Sequence, residues 1–345
     1  MKSSDFDFDL PPELVAQKPL PDRSDSRMMV VDRKAGTIRH DRFRELPSFL
    51  HPGEVMVLND TRVIPARLWG TKDARDVEFL FIREVEPGMW EVLCRPARRL
   101  KPGDVVSFSA GFEAEVVGLG GEGRRTLRFG AKDARELMTV SGFAPLPPYI
   151  KRGKKLAHLR EEDLKRYQTV FACAPGSIAA PTAGLHFTQV LLAAIKGRGV
   201  VIAPVTLNVG LATFQPVRAE RLEDHRMLEE SYVIGPQTAG LIREARRDAR
   251  PVVAVGTTVV RALESAATAG GGEVASGEST TRLFIQPGYS FQVVDRLLTN
   301  FHLPRSTLLM LVSALAGFDL IKKAYAEAVK ERYRFFSYGD CMFII

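Results

Sequence analysis

Short β-rich runs separated by turn signals fill residues 62–142, and this region constrains the fold more than any other. Runs such as DVEFLFIREV and DVVSFSAGFEAEVVGLG are rich in β-branched and aromatic residues, and turn signals such as EPG (86–88) and KPGD (101–104) separate them. Five or six strands at this spacing predict a small antiparallel barrel.

The chain after this region alternates strands with helices. Residues 143–155 are Pro-rich and then basic, which is typical of a linker, and PVVAVG (251–256) leads into a helical apolar spacing. Residues 304–317 and 319–332 are predicted to be two helices, and residues 270–281 a flexible surface loop. The sequence predicts an α/β main domain, discontinuous over 1–61 and 152–345, with an inserted small antiparallel β-barrel domain at 62–151.

The chain is basic, since 48 Lys and Arg against 41 Asp and Glu give 345 residues a formal net charge of +7. Excess cations concentrate polyanions and release counterions on binding, so we expect an anionic partner, with nucleic acid as the leading candidate. The alternative is that these basic clusters only form solvent-exposed surface, as runs of charged residues more often do. The candidate contact clusters are Arg95/Arg98/Arg99/Lys101, Lys151/Arg152/Lys154/Lys155 and Arg243/Arg246/Arg247/Arg250.

The cysteines and the apolar runs restrict the class of protein further. Cys94, Cys173 and Cys341 form no CxxC pair, which gives no support for a disulfide framework, a zinc site or an iron–sulfur cluster. The N-terminal stretch lacks the cationic-then-apolar order of a secretory signal, and the longest apolar run falls short of the roughly 20 residues that span a bilayer. We expect a cytoplasmic monomer that does not associate with membranes.

The segment YQTVFACAPGSIAAPTAGLHFT (167–188) is typical of a pocket wall. Pro175 and Pro181 prevent a continuous helix, and the small residues leave room for a ligand to approach the backbone. Its polar residues Tyr167, Thr182 and His186 are therefore candidate catalytic residues.

Two further polar segments are candidate binding sites. Thr257 and Thr258 stand at a predicted helix start, where free N–H groups and the helix dipole favour a carboxylate or phosphate, although a plain Thr N-cap fits equally well. LTNFHLPRST carries Asn300 and His302 ahead of a buried helix. His302, like His186, lies in a polar loop, which makes these two the acid/base candidates among the six histidines.

The motif NDTR places Asn59, Asp60 and Arg62 directly after the strand-like run VMVL. This repeats the pattern of a polar loop at a strand end, although an Asx-turn at Asn59 and Asp60 is the alternative. GLGGEG (118–123) matches a dinucleotide fingerprint, but the strand-like RRTLRF that follows predicts a hairpin loop instead. The chain has no HExxH, GxSxG or GxxxxGK[ST], so metallohydrolase, α/β-hydrolase and P-loop functions lose their main support.

Several blocks of the chain, in order, resemble the S-adenosylmethionine:tRNA ribosyltransferase-isomerase family. They include DFDLPPELVAQKPL, LNDTRVIPARLWG, the 167–188 segment, VTLNVGLATFQPV, VGTTVVRALES, QPGYSFQVVDRLLTNFHLPRSTLLMLVSALAG and YRFFSYGDCMFI. The resemblance implies an α/β domain with an inserted β-barrel. It also implies transfer and isomerisation of the ribosyl moiety of S-adenosylmethionine onto 7-aminomethyl-7-deazaguanine at the tRNA wobble position. The products would be epoxyqueuosine-tRNA, adenine and methionine.

The resemblance also implies partners and residue roles. The partners would be the tRNA anticodon arm and S-adenosylmethionine, which is a consumed co-substrate, and we expect no resident cofactor and no metal. Proton transfer is assigned to His186 and His302. Binding roles follow for a larger set: Thr257, Thr258 and Arg261 for the methionine carboxylate, Tyr289, Phe291 or Phe301 for stacking a base, and Asn59, Asp60, Arg62 and Asn300 for other substrate contacts.

The chain departs from the family pattern at three positions. The family motif has His where this chain has Asn208 and Leu228, and Gly where it has Ala212. Because Asn cannot titrate near neutrality and Leu can neither titrate nor hydrogen-bond, we expect no general catalytic role at positions 208 and 228. A methyltransferase that uses the same co-substrate on RNA, and a non-catalytic tRNA-binding protein, are the alternative functions.

Overall fold

The structure is a computed structural model that describes residues 1–130, 133–152, 158–210, 217 and 219–345. Ala212, Lys154 and Lys155, which the sequence analysis singles out, lie outside these ranges. The strands are β1 (Arg27–Asp32), β2 (Thr37–Arg42), β3 (Val55–Asn59), β4 (Thr61–Val63), β5 (Arg67–Lys72), β6 (Arg75–Glu86), β7 (Met89–Arg95), β8 (Val105–Phe108), β9 (Glu113–Leu119), β10 (Arg124–Phe129), β11 (Ala174–Ser177), β12 (Val201–Leu207), β13 (Glu230–Ile234), β14 (Val252–Val255), β15 (Gly277–Thr281), β16 (Arg296–Asn300) and β17 (Cys341–Ile344). The helices are α1 (Ala134–Ser141), α2 (Arg160–Arg166), α3 (Gln189–Gly197), α4 (Pro236–Arg247), α5 (Thr257–Ala269), α6 (Thr307–Ala316) and α7 (Phe318–Lys330).

A mixed sheet forms the centre of the main domain, with the strand order β15-β13-β12-β3-β14-β16-β17-β1-β2. Strands β12, β3, β14 and β16 are parallel neighbours, whereas β17 runs antiparallel to β16. All five residues of β3 are buried, as expected for a strand with layers on both faces. Val55 and Val57 belong to the core beneath α4 to α7, and Met56 and Leu58 to the core beneath α3.

Strands β5 to β10 close into an antiparallel barrel in the order β10-β7-β6-β5-β8-β9. Its interior is a separate apolar core that includes Phe79 and Phe81 of β6 and Val92 of β7, because alternate residues of each strand point inward. The prediction of an α/β main domain with a small antiparallel barrel is confirmed. The domain boundaries at 62 and 151 remain predictions. The glycine run at 118–123 joins β9 to β10, which confirms the hairpin.

Two helices and one loop allow further comparison with the sequence. Helix α6 falls within the first segment predicted to be helical, and helix α7 begins one residue before the second. The predicted loop at 270–281 is wrong for its last five residues, because Gly277–Thr281 forms β15 and pairs antiparallel with β13. Four residues of this edge strand are exposed, so it lacks the alternation of apolar residues that identifies a half-buried strand. None of the described helices is long and apolar enough to cross a membrane.

Candidate active site

The carboxyl ends of β12, β3, β14 and β16 meet at one edge of the main sheet, which is where open α/β sheets bind ligands. A cavity of about 70 Å³ lies at this edge. Thr182, Thr257, Thr258, Asn300 and His302 all line it, although they come from three separate segments of the chain. The fold therefore brings together a large part of the predicted site.

Helix α5 directs its N-terminus at this cavity. Gly256 precedes the helix with a φ of 96°, a conformation that favours glycine and turns the chain sharply out of β14. Thr257 and Thr258 are buried, and their backbone N–H groups make no hydrogen bond with a described residue. These free donors and the positive end of the helix dipole favour a carboxylate or a phosphate.

Asn300 lines the cavity and carries a buried, unpaired hydrogen-bond acceptor. Its Nδ2 group donates to the Phe336 carbonyl at 3.1 Å and lies 3.2 Å from His186 Nε2. Because a carbonyl can only accept, these contacts fix which side of the amide carries the NH₂ group. Oδ1 is buried and has no hydrogen-bond partner in the described structure. An unpaired buried acceptor costs roughly 1–3 kcal/mol, so Oδ1 is a favourable contact point for a ligand N–H or O–H group.

His186 lies behind Asn300 and does not line the cavity. Its Nε2 atom accepts from Asn300, so Nδ1 carries the proton and donates to Ser26 Oγ at 3.0 Å. Burial, together with the nearby cations Arg334 and Arg23, lowers the pKa of His186 to about 3. A neutral ring with both nitrogens engaged orients Asn300. This geometry favours a positioning role for His186, and its predicted role as a proton carrier stays a prediction.

His302, in contrast, lines the cavity directly. Its Nε2 atom lies 2.9 Å from Thr299 Oγ1, and its backbone N–H donates to the Tyr325 hydroxyl at 2.9 Å. Burial lowers the pKa of His302 to about 3, so its ring is neutral at ordinary pH. Nδ1 makes no hydrogen bond with a described residue. The ring is held in place and still has one nitrogen available for a ligand.

Acidification should destabilise the protein through these two histidines. Their folded-state pKa of about 3 lies below the usual 6.5, so the unfolded chain takes up the protons first as the pH falls from 6.5 towards 3. Between pH 7 and pH 5 the free energy of unfolding should fall by roughly 2 kcal/mol per histidine. Urea unfolding at both pH values measures this loss. His186→Leu should remove about half of this loss, whereas changing the exposed His158 to Leu should leave the loss intact. An equal loss of unfolding free energy between pH 7 and pH 5 in the unchanged protein and both variants would contradict the assignment of this loss to the buried histidines.

Comparison with known proteins identifies the family. The family model described as queuosine biosynthesis protein matches residues 3–344. The chain belongs to this queuosine biosynthesis family. Relatives named S-adenosylmethionine:tRNA ribosyltransferase-isomerase, from Halothermothrix orenii and Geobacter sulfurreducens, are 49% and 51% identical to it, each alignment covering 100% of both chains. The resemblance and the prediction of a transferase are confirmed.

A solved structure from the same family supports the fold. The crystal structure of S-adenosylmethionine tRNA ribosyltransferase from Thermotoga maritima matches with a TM-score of 0.56 and 39% sequence identity. The match covers 99% of this chain and 100% of that one. The barrel and the main sheet therefore belong to a fold already seen in the queuosine biosynthesis family.

Arg261 of this family member does not line the cavity. Its guanidinium is 4% exposed, pairs with the buried carboxylate of Glu230, and donates from Nε to the Leu283 carbonyl at 3.0 Å. A buried cation that is already paired links α5 to β13 and contributes to the fold. Its predicted contact with the methionine carboxylate finds no support, which leaves the N-terminus of α5 as the candidate for that contact.

The three predicted stacking residues lie in different environments. Phe301 lines the cavity but is fully buried, and its ring packs against Tyr325 and Phe335 at centroid distances of 5.5 and 5.2 Å. Tyr289 and Phe291 contact each other at 5.2 Å and are half-buried outside the cavity. The stacking roles of all three residues stay predictions.

The polar residues near Asn59 are largely structural. Asn59 is 1% exposed; its Nδ2 donates to the Leu207 carbonyl at 3.0 Å and its Oδ1 accepts from the Leu207 N–H at 3.1 Å. Asn59 thus joins β3 to β12, and its predicted substrate contact is replaced by a fold-stabilising one. Asp60 accepts from Thr206 Oγ1 at 2.6 Å, and Arg62 is exposed. Neither Asp60 nor Arg62 lines the cavity.

Tyr167 also lies outside the cavity wall, and two of the three family departures, Asn208 and Leu228, lie on the surface. Tyr167 is 1% exposed, its hydroxyl has no partner in the described structure, and burial raises its pKa well above the ordinary value. The Tyr167 hydroxyl is therefore not accessible to a ligand in this arrangement, and its catalytic role stays a prediction. Asn208 and Leu228 are both exposed, and neither lines the cavity.

Sequence reasoning missed Tyr149, Ser337 and Ser26. Tyr149 and Ser337 line the cavity, and their hydroxyl oxygens lie 2.7 Å apart. Tyr149 lies in the segment that was interpreted as a linker, while Ser337 lies within the YRFFSYGDCMFI block and could have been considered there. Ser26 carries no local signal, since its partner His186 is 160 residues away.

Proposed function

We propose that this protein transfers and isomerises the ribosyl moiety of S-adenosylmethionine onto 7-aminomethyl-7-deazaguanine at the wobble position of tRNA. The products are epoxyqueuosine-tRNA, adenine and methionine. The observation that carries the proposal is the full-length similarity to relatives whose names state this transferase activity. S-adenosylmethionine is consumed as a co-substrate, and the macromolecular partner is the tRNA anticodon arm.

The N-terminus of α5 is assigned to the methionine carboxylate. Thr257 and Thr258 supply free backbone N–H groups and hydroxyls at the wall of the cavity. A carboxylate is favoured there both by hydrogen bonding and by the helix dipole. Since the cavity of about 70 Å³ is smaller than the roughly 300 Å³ typical of a whole-ligand pocket, we place only part of the co-substrate there.

His302 is assigned to proton transfer. The sulfonium of S-adenosylmethionine acidifies the neighbouring ribose carbon, and a neutral imidazole can take up the proton when Nδ1 is its unprotonated nitrogen. Thr299 fixes this tautomer if Nε2–H donates to its hydroxyl oxygen. Adenine then leaves with the electron pair of the glycosidic bond as the ring opens, the tRNA amine attacks, and epoxide closure expels methionine.

Asn300 is assigned to substrate positioning. Its unpaired Oδ1 accepts a hydrogen bond from a hydroxyl or amine of the reacting groups, while His186 and the Phe336 carbonyl hold its Nδ2. Such preorganised polar groups in a water-poor site give a large part of enzymatic rate enhancement. Thr182 lies in the same wall and supplies a further hydroxyl.

Product analysis with ribose-labelled S-adenosylmethionine tests the proposed function. With tRNA that carries the aminomethyl base, we expect label in the tRNA and equimolar release of adenine and methionine. Matched tRNA with an unmodified wobble guanine should take up no label. Formation of S-adenosylhomocysteine would indicate a methyltransferase, and binding without any product would indicate a non-catalytic tRNA-binding protein; either result would contradict the proposal.

A further inference from the structure

A groove of about 450 Å³ lies between the outer wall of the barrel and residues 145–152. On the barrel side it is lined by β5, β6 and β7, where Leu80 pairs with Leu93 and Glu78 pairs with Arg95 across the strands. Three prolines and Ile150 form much of the opposite wall. None of the residues assigned to the reaction lines this groove, so the candidate active site does not account for it.

The barrel wall of the groove is unusually apolar for an outward-facing surface. Phe79 and Phe81 point into the barrel, so Leu80 between them points outward, and Leu93 is its cross-strand partner. Both leucines are half-buried beneath the proline segment. Apolar side chains of this kind can pack against the face of a nucleobase.

The groove also has uncompensated positive charge at its rim. Arg67 is paired with Glu78, and Arg152 is paired with Asp163 at 2.9 Å. Arg95 and Lys151 are exposed and make no ion pair with a described residue. The residues outside the described ranges include no Asp or Glu, so none of their side chains can neutralise these two cations. A ligand with an apolar face and an anionic group fits this combination.

The groove and the catalytic cavity share a wall. Ile178 and Gly210 line the groove, whereas Ala180 and Val209, two residues and one residue away in the chain, line the cavity. Ser177 joins the two segments, because its Oγ accepts from the Val209 N–H at 3.0 Å and donates to the Ala179 carbonyl at 2.7 Å. Only one or two residues along each of these segments therefore separate the groove from the cavity, as expected for neighbouring binding positions.

We propose that the groove binds a single-stranded nucleotide of the anticodon loop adjacent to the wobble base. Its base packs between Leu93 and the proline segment, and its phosphate lies near Arg95 and Lys151. This inference rests on the proposed function and names the second place at which the same tRNA is bound. Both the barrel and the main domain then contact the anticodon arm.

Equilibrium binding of a fluorescent anticodon stem-loop RNA carrying the aminomethyl base tests the charge contribution. The double variant Arg95→Ala/Lys151→Ala should raise the Kd by roughly 10- to 100-fold at low salt, and should reduce the slope of log K against log salt by about 1 to 2. Arg75→Ala is the matched control, because Arg75 is an exposed arginine of β6 that does not line the groove and should leave the Kd unchanged. Thermal unfolding of each variant establishes that it is folded.

Abasic stem-loops identify the nucleotide itself. Removing the base at one position next to the wobble base should weaken binding to the unchanged protein by roughly 5- to 100-fold, in the range measured for base stacking. The same abasic change should have little further effect on Leu93→Ala, because the two changes remove one contact. If removing the base weakened binding equally in the unchanged protein and in Leu93→Ala, the proposal would be overturned.

The other outcomes are also decisive. The proposal would be overturned if Arg95→Ala/Lys151→Ala bound the stem-loop with an unchanged Kd. If the same variant also had a raised KM for S-adenosylmethionine, the groove would be assigned to the co-substrate instead. Turnover by the unchanged protein separates a wrong groove assignment from a wrong proposed function. If it transfers ribose while the groove variants bind normally, only the groove assignment is wrong; if it forms no labelled tRNA, the proposed function is wrong.

Discussion

Replacing Asn300 with leucine should lower kcat/KM for ribosyl transfer by roughly 10²- to 10³-fold, the usual effect of removing one preorganised polar group. Leucine has a similar volume but offers no acceptor in place of the buried, unpaired Oδ1. It also leaves His186 Nε2 without its donor, while the Phe336 carbonyl keeps only the Gly339 N–H. Steady-state release of adenine, with S-adenosylmethionine and tRNA varied separately, measures the change.

The control for Asn300→Leu must separate catalysis from folding. Gln237→Leu removes an amide from the exposed face of α4 and should change kcat/KM by less than about threefold, as expected for a surface position. Thermal unfolding of Asn300→Leu defines a temperature at which the variant is fully folded, and the rate is compared there. If folded Asn300→Leu turned over within threefold of the unchanged protein, Asn300 would have no part in the reaction.

Replacing His302 with alanine should lower kcat by roughly 10²- to 10⁴-fold, the usual contribution of a general acid or base. His302 is the histidine that lines the cavity, and its Nδ1 is available to a ligand. Because burial lowers the pKa of His302 to about 3, kcat/KM of the unchanged protein should show no acid limb from this ring between pH 5 and pH 8. Single-turnover rates over this pH range measure both effects.

His186→Gln is the comparison for His302→Ala. A glutamine carbonyl can accept from Asn300 Nδ2 as His186 Nε2 does, so a positioning role predicts that His186→Gln keeps most of the activity that His186→Leu loses. If His186→Gln were as inactive as His186→Leu, and His302→Ala remained active, the roles assigned to the two histidines would have to be exchanged.

Much of the fold was readable from the sequence because its signals are local. The β-rich runs with Pro-Gly turns predicted the barrel, and the strand–Gly–Thr–Thr pattern predicted a helix start at Thr257. Strand β15 was missed because its residues are exposed at a sheet edge, where pairing with β13 rather than apolar burial defines it.

The candidate site was only partly predictable, since residue type does not reveal direction or depth. His186 and His302 look alike as polar-loop histidines, yet one faces Asn300 and the other faces the cavity. Arg261 follows two lining positions in the sequence, but a buried ion pair occupies its side chain, and Phe301 lines the cavity while its ring belongs to an aromatic core. These outcomes depend on contacts between distant segments, which no local pattern encodes.

The position of β17 has a consequence for how the protein is made. This strand follows all the others in chain order, yet it lies inside the sheet, between β16 and β1. During synthesis, β1 and β2 therefore emerge early, and about 300 residues follow before β17, the second neighbour of β1 in the sheet, appears. Exposed strand edges of this kind promote misassembly, so we expect the β1–β2 hairpin to be the part of the nascent chain that most needs protection by a chaperone.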